Sequence, residues 1–187
     1  MNQAVKNNKR NFNPIAVLMI LCCFLAVVLA LVDSATRPAI DARKRQEELE
    51  AYQEISQGYD IVGALSMDGA VEPVLSYYNI RRGDAKGYIV NLTGSGYGGA
   101  FKMAACYDSS GKLLAARMLE NSETPGLGKN SEESWYMPLF AKGSSIPASK
   151  NDLPEEDRAL VTGASVTFAG VSHALSAGSE WVRRRGI

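Results

Sequence analysis

A chain of 187 residues has room for one membrane anchor and one modest globular domain. The 20 Lys and Arg balance the 20 Asp and Glu, which gives no reason to expect a nucleic-acid partner or a strongly acidic substrate. Among the 3 cysteines, Cys22 and Cys23 lie in an apolar run and Cys106 stands alone. This pattern excludes an internal disulfide outside the membrane and has no metal-site spacing.

The N-terminal segment predicts a transmembrane helix. Residues 15–32 carry no charged side chain, and at 1.5 Å per residue they reach about 27 Å, close to the ~30 Å hydrocarbon core of a bilayer. Asn13 is placed to cap this helix, and Pro14 to occupy its first position. Basic residues precede the run and Asp33 follows it. The positive-inside rule therefore predicts a cytoplasmic N-terminus (1–14) and an extracytoplasmic domain.

A cleaved signal peptide is the alternative to this anchor, with Val28-Leu29-Ala30 as its cleavage pattern. The apolar run is longer than the roughly 7–15 residues of a signal-peptide core, and it continues through Leu31 and Val32. We therefore expect a retained, single-pass anchor.

A helical stalk is predicted for residues 33–60. The segment is charged and helix-favouring, and Leu49, Tyr52 and Ile55 recur at near-helical spacing. Pro38 is expected to bend or restart the helix as it leaves the bilayer. The stalk would pack this one stripe against the domain that follows.

Alternating side chains in residues 61–187 predict an antiparallel sheet. The predicted strands are Tyr77 to Arg81, Gly87 to Leu92, Phe101 to Tyr107 and Lys112 to Glu120. A turn at 108–111 separates the last two strands. The segment 94–99 formally contains G-x-G-x-x-G, but strand spacing follows it where a dinucleotide fingerprint requires a helix. We interpret its glycines as a bend between strands.

Helical patterns occupy the rest of the domain. Residues 131–137 predict a short helix that Pro138 ends, and a loop then extends to Asp157. A final helix is predicted from Ser165, with basic residues 183–185 at its end. Its core-facing residues are Phe168, Val171, Leu175 and Val182. The predicted fold class is α+β, with an N-terminal transmembrane helix followed by a small antiparallel-sheet domain with packed helices.

Two segments are candidates for binding chemistry. TGAS (162–165) opens the final helix and combines hydroxyl groups with free backbone N–H groups, which suits a phosphate; a plain helix N-cap is the alternative. SETPGLGK (122–129) follows a strand. Pro125 fixes one φ angle there, and Gly126 and Gly128 allow close approach to a flat ligand. An ordinary Gly/Pro turn is the alternative for this second segment.

These segments, in their order, resemble the family of FMN-binding G-type subunits of Rnf electron-transport complexes, which is related to the C-type subunit of the sodium-pumping NADH:quinone reductase. The resemblance covers most of the chain. It is carried by the anchor, GYIVNLTGSGYGG, the hairpin at 108–111, SETPGLGK, and D-x-x-x-x-TGAS-x-T from Asp157 to Thr167.

The resemblance implies a covalent cofactor. In that family a flavin transferase links FMN through its phosphate to the last hydroxyl residue of an S/T-G-A-T/S motif, which is Ser165 here. The family usually has Thr at this position, but Ser forms the same phosphoester. Thr167 is the alternative attachment residue. The other predicted cofactor-binding residues are Thr162, Gly163, Ala164, Glu123, Thr124, Leu127, Gly128 and Lys129, the last of which would favour the anionic reduced flavin.

The resemblance also implies the function of an electron-transfer subunit that is not catalytic alone. It would relay electrons through FMN in an ion-translocating ferredoxin:NAD⁺ oxidoreductase of the cell (inner) membrane, with the other membrane and redox subunits as partners. The uncharged anchor has no acid or base to carry an ion. Alternatives are the C-type subunit of the quinone reductase, a membrane-anchored flavin sensor, and a scaffold domain without cofactor. The single His173 and Cys106 are assigned no catalytic or metal role.

Overall fold

The apolar N-terminal segment forms the first part of a long helix, α1 (Pro14–Ile55). The computed structural model describes residues 13–125 and 128–185, and the chain divides into two units, Met1–Gln46 and Glu47–Ile187. Within the described residues, α1 is the one helix that is long and apolar enough to cross a membrane, and none of its apolar window is buried.

The start of α1 follows the sequence expectation. The N–H of Ile15 donates to the side-chain oxygen of Asn13 at 3.2 Å, so Asn13 caps the first turn. Pro38 lies inside the helix, which continues through it, so the expected restart at this residue is wrong. A proline removes one backbone N–H donor from the helix. The helix-favouring residues on both sides still form the other backbone hydrogen bonds, so the helix continues.

The second unit contains an antiparallel sheet in which each described strand pairs with the next along the chain. The strands are β1 (Asp60–Ser66), β2 (Val74–Arg82), β3 (Ala85–Ser95), β4 (Ala100–Asp108) and β5 (Leu113–Glu120). Strands β2 to β5 correspond to the four predicted ones, and the α+β fold class is confirmed. The sequence does not predict β1, because its side chains are mostly exposed and Gly63 interrupts it, so no alternation marks it.

Two predicted turns are confirmed. The glycine-rich segment joins β3 to β4, and the N–H of Gly96 donates to the carbonyl of Gly99 at 2.9 Å. The glycines therefore form a hairpin, as expected. Between β4 and β5, the Asp108 side chain accepts from the N–H groups of Ser110 at 2.9 Å and Lys112 at 3.0 Å, which closes an Asx-type turn.

Three further helices follow the sheet in the part of the chain that the structure describes. They are α2 (Pro138–Ala141), α3 (Glu155–Leu160) and α4 (Ser165–Arg185), with 3-10 turns at Gly128–Glu132 and Lys150–Asp152. Pro138 begins α2 and does not end a helix over 131–137, because a proline at the first helical position needs no N–H donor. Part of the loop predicted before Asp157 is instead α3, whose acidic first turn suits a helix N-terminus.

The sheet is covered on both faces within the second unit. One face packs against α4, which buries the predicted residues Phe168, Val171, Leu175 and Val182. The other face packs against the last turns of α1, where Ala51, Tyr52 and Ile55 are buried. Leu49, expected in the same stripe, is 56% exposed. Its place on the core side is taken by Ala51, a residue too small to mark the stripe in the sequence.

Candidate functional site

The TGAS segment connects α3 to α4. Gly163 has a φ of +87°, a left-handed conformation that favours glycine and that lets the chain enter α4 at Ser165. The N–H of Phe168 donates to the carbonyl of Ala164 at 2.9 Å, which is the first bond of the helix. The N–H groups of the three preceding residues therefore have no acceptor within α4. Because the Ser165 side chain is exposed, this first turn offers an accessible hydroxyl beside a set of backbone donors.

Thr167, two residues into α4, has a different environment. Its side chain is 1% exposed, and its hydroxyl donates to Oε1 of Glu123 at 2.9 Å. The other carboxylate oxygen of Glu123, Oε2, accepts from the N–H of Gly98 at 2.9 Å. Glu123 is itself buried, at 6% exposure. A single carboxylate, carried by Glu123 near the start of the SETPGLGK loop, thus joins α4 to the glycine hairpin.

The SETPGLGK loop is held by further bonds at both ends. The N–H of Glu123 donates to the side-chain oxygen of Asn121 at 2.6 Å, and the Asn121 amide donates to the Ser131 hydroxyl at 2.9 Å. The N–H of Lys129 donates to the carbonyl of Thr124 at 3.2 Å. These bonds fix the loop on both sides of residues 126 and 127, which lie outside the described residues.

Three glycines surround the Glu123 carboxylate. A Cβ at Gly128 would lie 2.5 Å from Oε2 of Glu123 and 2.6 Å from the Thr167 hydroxyl oxygen. A Cβ at Gly98 would lie 2.6 Å from the carbonyl oxygen of Ser122, and one at Gly96 would collide with the Glu123 carboxylate. Only glycine therefore fits at positions 96, 98 and 128, because Glu123 lies too close to each of them for a side chain.

These elements enclose a cavity of about 250 Å³. It is lined by Tyr97, Glu123, Thr124, Gly128, Gly163, Ala164, Ser165, Val166 and Thr167. Seven of the predicted site residues are thus brought together at one place. Thr162 and Lys129 lie outside this lining: the Thr162 hydroxyl donates to the carbonyl of Arg158 at 3.3 Å, and the Lys129 ammonium lies 3.6 Å from a Glu132 oxygen. Leu127 falls outside the described residues.

The sequence reasoning missed two residues that line the cavity, Tyr97 and Val166. Both are large and exposed, at 80% and 55% respectively. Two features of the sequence could have indicated them. Tyr97 is an aromatic residue at the tip of a glycine-rich hairpin, and Val166 lies in the first turn of a helix, next to the candidate Ser165 hydroxyl. Exposed apolar side chains around a cavity mark a surface that suits a flat, apolar ligand group.

Asp157, the first residue of the D-x-x-x-x-TGAS-x-T pattern, contacts protein and not the cavity. Its buried carboxylate accepts from the Lys142 ammonium at 3.0 and 2.8 Å. The pair ties α3 to the end of α2. The same helix is held by Arg158, which donates to the carbonyls of Asn151 and Leu153 at 3.1 Å. Asp157 thus helps to place the segment that leads into α4.

An aromatic cluster lies behind the site. The rings of Phe140 and Phe168 stack at 4.6 Å, and the ring of Tyr136 lies 6.4 Å from that of Phe168. The Tyr136 hydroxyl is buried and has no hydrogen-bond partner among the described residues. Burial, and secondly the charge of Glu123, raise the pKa of Tyr136 well above its ordinary value, so it stays neutral.

The remaining titratable candidates lie away from the cavity. His173 is exposed on α4, and Cys106 is buried in β4. Burial, with a smaller effect from Asp108, raises the pKa of Cys106 to about 12, so this residue stays a thiol at neutral pH. Among the described residues, no group of three or more His, Cys, Asp or Glu side chains could hold a metal ion.

Comparison with known proteins shows what the domain is similar to. Residues 96–179 match the family model described as FMN-binding domain, and this range contains the cavity and most of α4. The G-type subunit of the ion-translocating oxidoreductase complex of Cereibacter sphaeroides is 33% identical over 113 residues, which cover 57% of this chain and 52% of that protein. This chain therefore spans about half the length of the first curated relatives it matches.

Two further comparisons cover more of a known protein. The G-type subunit of the proton-translocating ferredoxin:NAD(+) oxidoreductase complex of Clostridium ljungdahlii is 23% identical over 168 residues, which cover 88% of each chain. A crystal structure of the C-type subunit of Na(+)-translocating NADH-quinone reductase from Parabacteroides distasonis is 21% identical, covers 58% of this chain and 62% of its own, and gives a TM-score of 0.40. Residues 96–179 of this chain are therefore similar to the FMN-binding domain family, and the chain is similar to the G-type subunits of ion-translocating oxidoreductase complexes.

Proposed function

We propose that this chain is the membrane-anchored flavoprotein subunit of an ion-translocating oxidoreductase complex and relays electrons through FMN attached to Ser165. The observation that carries this proposal is the exposed Ser165 hydroxyl, which lines the cavity of an FMN-binding domain at the N-terminus of α4. The apolar part of α1 supports association with a membrane.

The attachment step is a phosphoryl transfer without redox change. The Oγ of Ser165 forms a bond to the flavin-side phosphorus of a flavin dinucleotide, while the phosphoanhydride bond of that donor breaks. The nucleoside monophosphate leaves, and the hydroxyl proton passes to a base of the flavin transferase. The phosphodiester keeps one negative charge, which the N–H groups of Ser165, Val166 and Thr167 are placed to stabilise.

The hydroxyl environments support Ser165 over the two threonines. The Thr167 hydroxyl is buried and donates to Glu123, so a transferase would have to break that bond to reach it. Thr162 is exposed, but its hydroxyl lies outside the cavity lining and donates to the carbonyl of Arg158. Ser165 combines exposure with a place in the lining.

The size of the cavity supports a place for part of the cofactor. Pockets that enclose a whole ligand of this size measure roughly 300–1,000 Å³, and this cavity measures about 250 Å³. We therefore expect it to hold the ribityl phosphate portion, with the ring system at its mouth beside Tyr97 and Val166. Contacts from Leu127 and a charge effect of Lys129 on the reduced flavin remain predictions.

When bound, FMN supplies the redox chemistry, and the residues of this chain bind and orient it. An exposed binding place suits a carrier that exchanges electrons with neighbouring subunits. We propose that the domain lies outside the cytoplasm, with the N-terminus inside, since basic residues precede the apolar segment. The partners would be the other subunits of an Rnf-type ferredoxin:NAD⁺ oxidoreductase complex and, during maturation, a flavin transferase.

The relay is tested with membranes that contain the whole complex. Reduced ferredoxin is mixed with them, and the flavin absorbance and NAD⁺ reduction are followed together in a stopped-flow instrument. We expect the flavin of this protein to be reduced at least as fast as the complex turns over, and Ser165→Ala membranes to lose NAD⁺ reduction. A flavin that stays oxidised during turnover, or wild-type turnover by Ser165→Ala membranes, would exclude a relay.

A further inference from the structure

The first turn of α4 presents two hydroxyl groups in opposite directions. Residues two positions apart on a helix point about 200° away from each other. Accordingly, Ser165 is exposed while Thr167 is 1% exposed. If Ser165 receives the flavin, the inward hydroxyl is left to make a contact within the protein.

That contact reaches distant parts of the chain. The Thr167 hydroxyl and the Gly98 N–H both donate to the Glu123 carboxylate, one to each oxygen, at 2.9 Å. The first bond spans 44 residues and the second 25. Hydrogen bonds to a carboxylate are among the stronger ones in proteins, and their loss at a buried position leaves the charge without its partners.

The residues around Glu123 fix the position of its carboxylate. Gly96, Gly98 and Gly128 each lack the room for a Cβ because Glu123 or its neighbour Ser122 lies against them. The Glu123 N–H is in turn fixed by the Asn121 side chain at 2.6 Å. The position of Glu123 therefore determines how the hairpin and the described loop residues 122–125 and 128–129 approach the start of α4.

We propose that Thr167 and Glu123 act as one positioning unit that holds the glycine hairpin and the described residues of the SETPGLGK loop (122–125 and 128–129) around Ser165. The proposal rests on the proposed attachment of FMN at Ser165. Thr167 is then a positioning residue and not a second attachment residue. Tyr97, at the tip of the hairpin, is brought to the cavity by the same unit, because its neighbours Gly96 and Gly98 pack on Glu123.

The test compares Thr167→Val with Thr167→Ser in the full chain. Valine keeps the shape without the hydroxyl, and serine restores the hydroxyl. With a purified flavin transferase and flavin dinucleotide, we expect the rate of flavin incorporation to fall about ten-fold or more in Thr167→Val and to return to within about two-fold of wild type in Thr167→Ser. Peptide mapping should find the flavin on Ser165 in both. A wild-type rate in Thr167→Val, or no rescue in Thr167→Ser, would overturn the proposal.

Ser179→Ala is the matched control. The Ser179 hydroxyl is another buried group on α4, and it donates to the carbonyl of Gly111 in a different hairpin at 2.5 Å. Its loss should lower the stability of the domain and leave the incorporation rate unchanged. An equal slowing in Ser179→Ala and Thr167→Val would show a general loss of stability and overturn the specific role.

Glu123→Gln tests the other member of the positioning unit. The amide oxygen can still accept from Thr167, but its NH₂ group faces the Gly98 N–H donor. We expect Glu123→Gln to slow incorporation, and the double variant with Thr167→Val to be no slower than the slower single variant, since the two residues act together. If the two substitutions slow incorporation independently, so that the fold-changes of the single variants multiply in the double variant, the two residues do not act as a single unit.

A measurement on the flavin-free chain tests the positioning unit independently of the proposed attachment of FMN. In the flavin-free chain, hydrogen exchange of the Gly98 amide should be faster in Thr167→Val than in wild type, and normal in Thr167→Ser. Wild-type protein that never takes up flavin would defeat the proposed function alone. Unchanged Gly98 exchange in Thr167→Val would defeat the positioning unit, whether or not flavin is bound.

Discussion

The hydroxyl of Tyr107, in β4, donates to the carbonyl oxygen of Leu175, in the middle of α4, at 2.8 Å. Both residues are fully buried. A Cβ at Gly178 would lie 2.7 Å from the same hydroxyl, so α4 approaches the sheet closely here. This bond fixes the helix on the sheet and thereby sets where its first turn, with Ser165, meets the glycine hairpin.

Tyr107→Phe removes this bond and keeps the ring. We expect the free energy of unfolding to fall by about 1–2 kcal/mol, because a buried hydrogen bond is lost while packing is retained. Urea titration of the full chain in detergent measures the change. No loss of stability would show that the Leu175 carbonyl does not depend on this donor.

The raised pKa of Cys106 leads us to expect that the free energy of unfolding falls at alkaline pH. Burial raises its pKa from 9.0 to about 12 in the folded protein, so above pH 9 the unfolded chain loses a proton that the folded chain keeps. The stabilising contribution is therefore complete below pH 9 and is lost as the pH rises towards 12.

The measurement compares urea unfolding of wild type and Cys106→Ala at pH 8 and pH 10. Wild type should lose about 1 kcal/mol more than the variant over this interval. Tyr52, whose pKa burial raises to about 12, adds a similar decline above pH 10 in both proteins. Equal losses at pH 10 would contradict the assignment to Cys106.

The Lys142–Asp157 pair is expected to stabilise α3 and not to bind the cofactor. Asp157 is 6% exposed, whereas Lys142 is more than half exposed, so the pair is partly screened. A double-mutant cycle with Asp157→Asn and Lys142→Met should give a coupling energy of about 1 kcal/mol. A coupling of zero would contradict this contact, and flavin found on Asp157 peptides would contradict its structural role.

The membrane topology is tested with a reporter fused to the C-terminus. Alkaline phosphatase at this position should be active, because it folds only outside the cytoplasm, and a cytoplasmic reporter should be inactive. Replacement of Lys6, Lys9 and Arg10 by Glu should weaken this orientation, since the positive-inside rule depends on them. The reverse pattern of activities in the wild-type chain would place the domain in the cytoplasm.

Local patterns in the sequence predict much of this fold. Strands β2 to β5 are short apolar-rich segments bounded by turn residues, and α4 buries apolar side chains at near-helical spacing, so one stretch of sequence suffices to find each of them. Strand β1 has exposed side chains and a glycine, and α2 has four residues, so neither carries a periodic signal. Pro138 illustrates a different limit, because a proline ends one helix and begins another equally well.

The candidate site was predicted in part. The two segments that meet at the cavity could be found because each has an unusual combination of hydroxyl, glycine and proline residues. The contact between Thr167 and Glu123 spans 44 residues and depends on how α4 packs on the sheet, so no local pattern reports it. For the same reason Tyr97 could be interpreted only as part of a turn.

A phosphoester between Ser165 and FMN adds a defined mass to the chain, and mass spectrometry measures that mass. The full chain, co-produced with a flavin transferase, should gain the mass of one FMN less one water, and the peptide that contains Ser165 should carry it. Ser165→Ala should have the mass of the polypeptide alone, while Ser176→Ala, a change at an exposed serine further along α4, should be labelled as wild type. A wild-type chain with only the mass of its amino acids, or flavin retained in Ser165→Ala, would contradict the account.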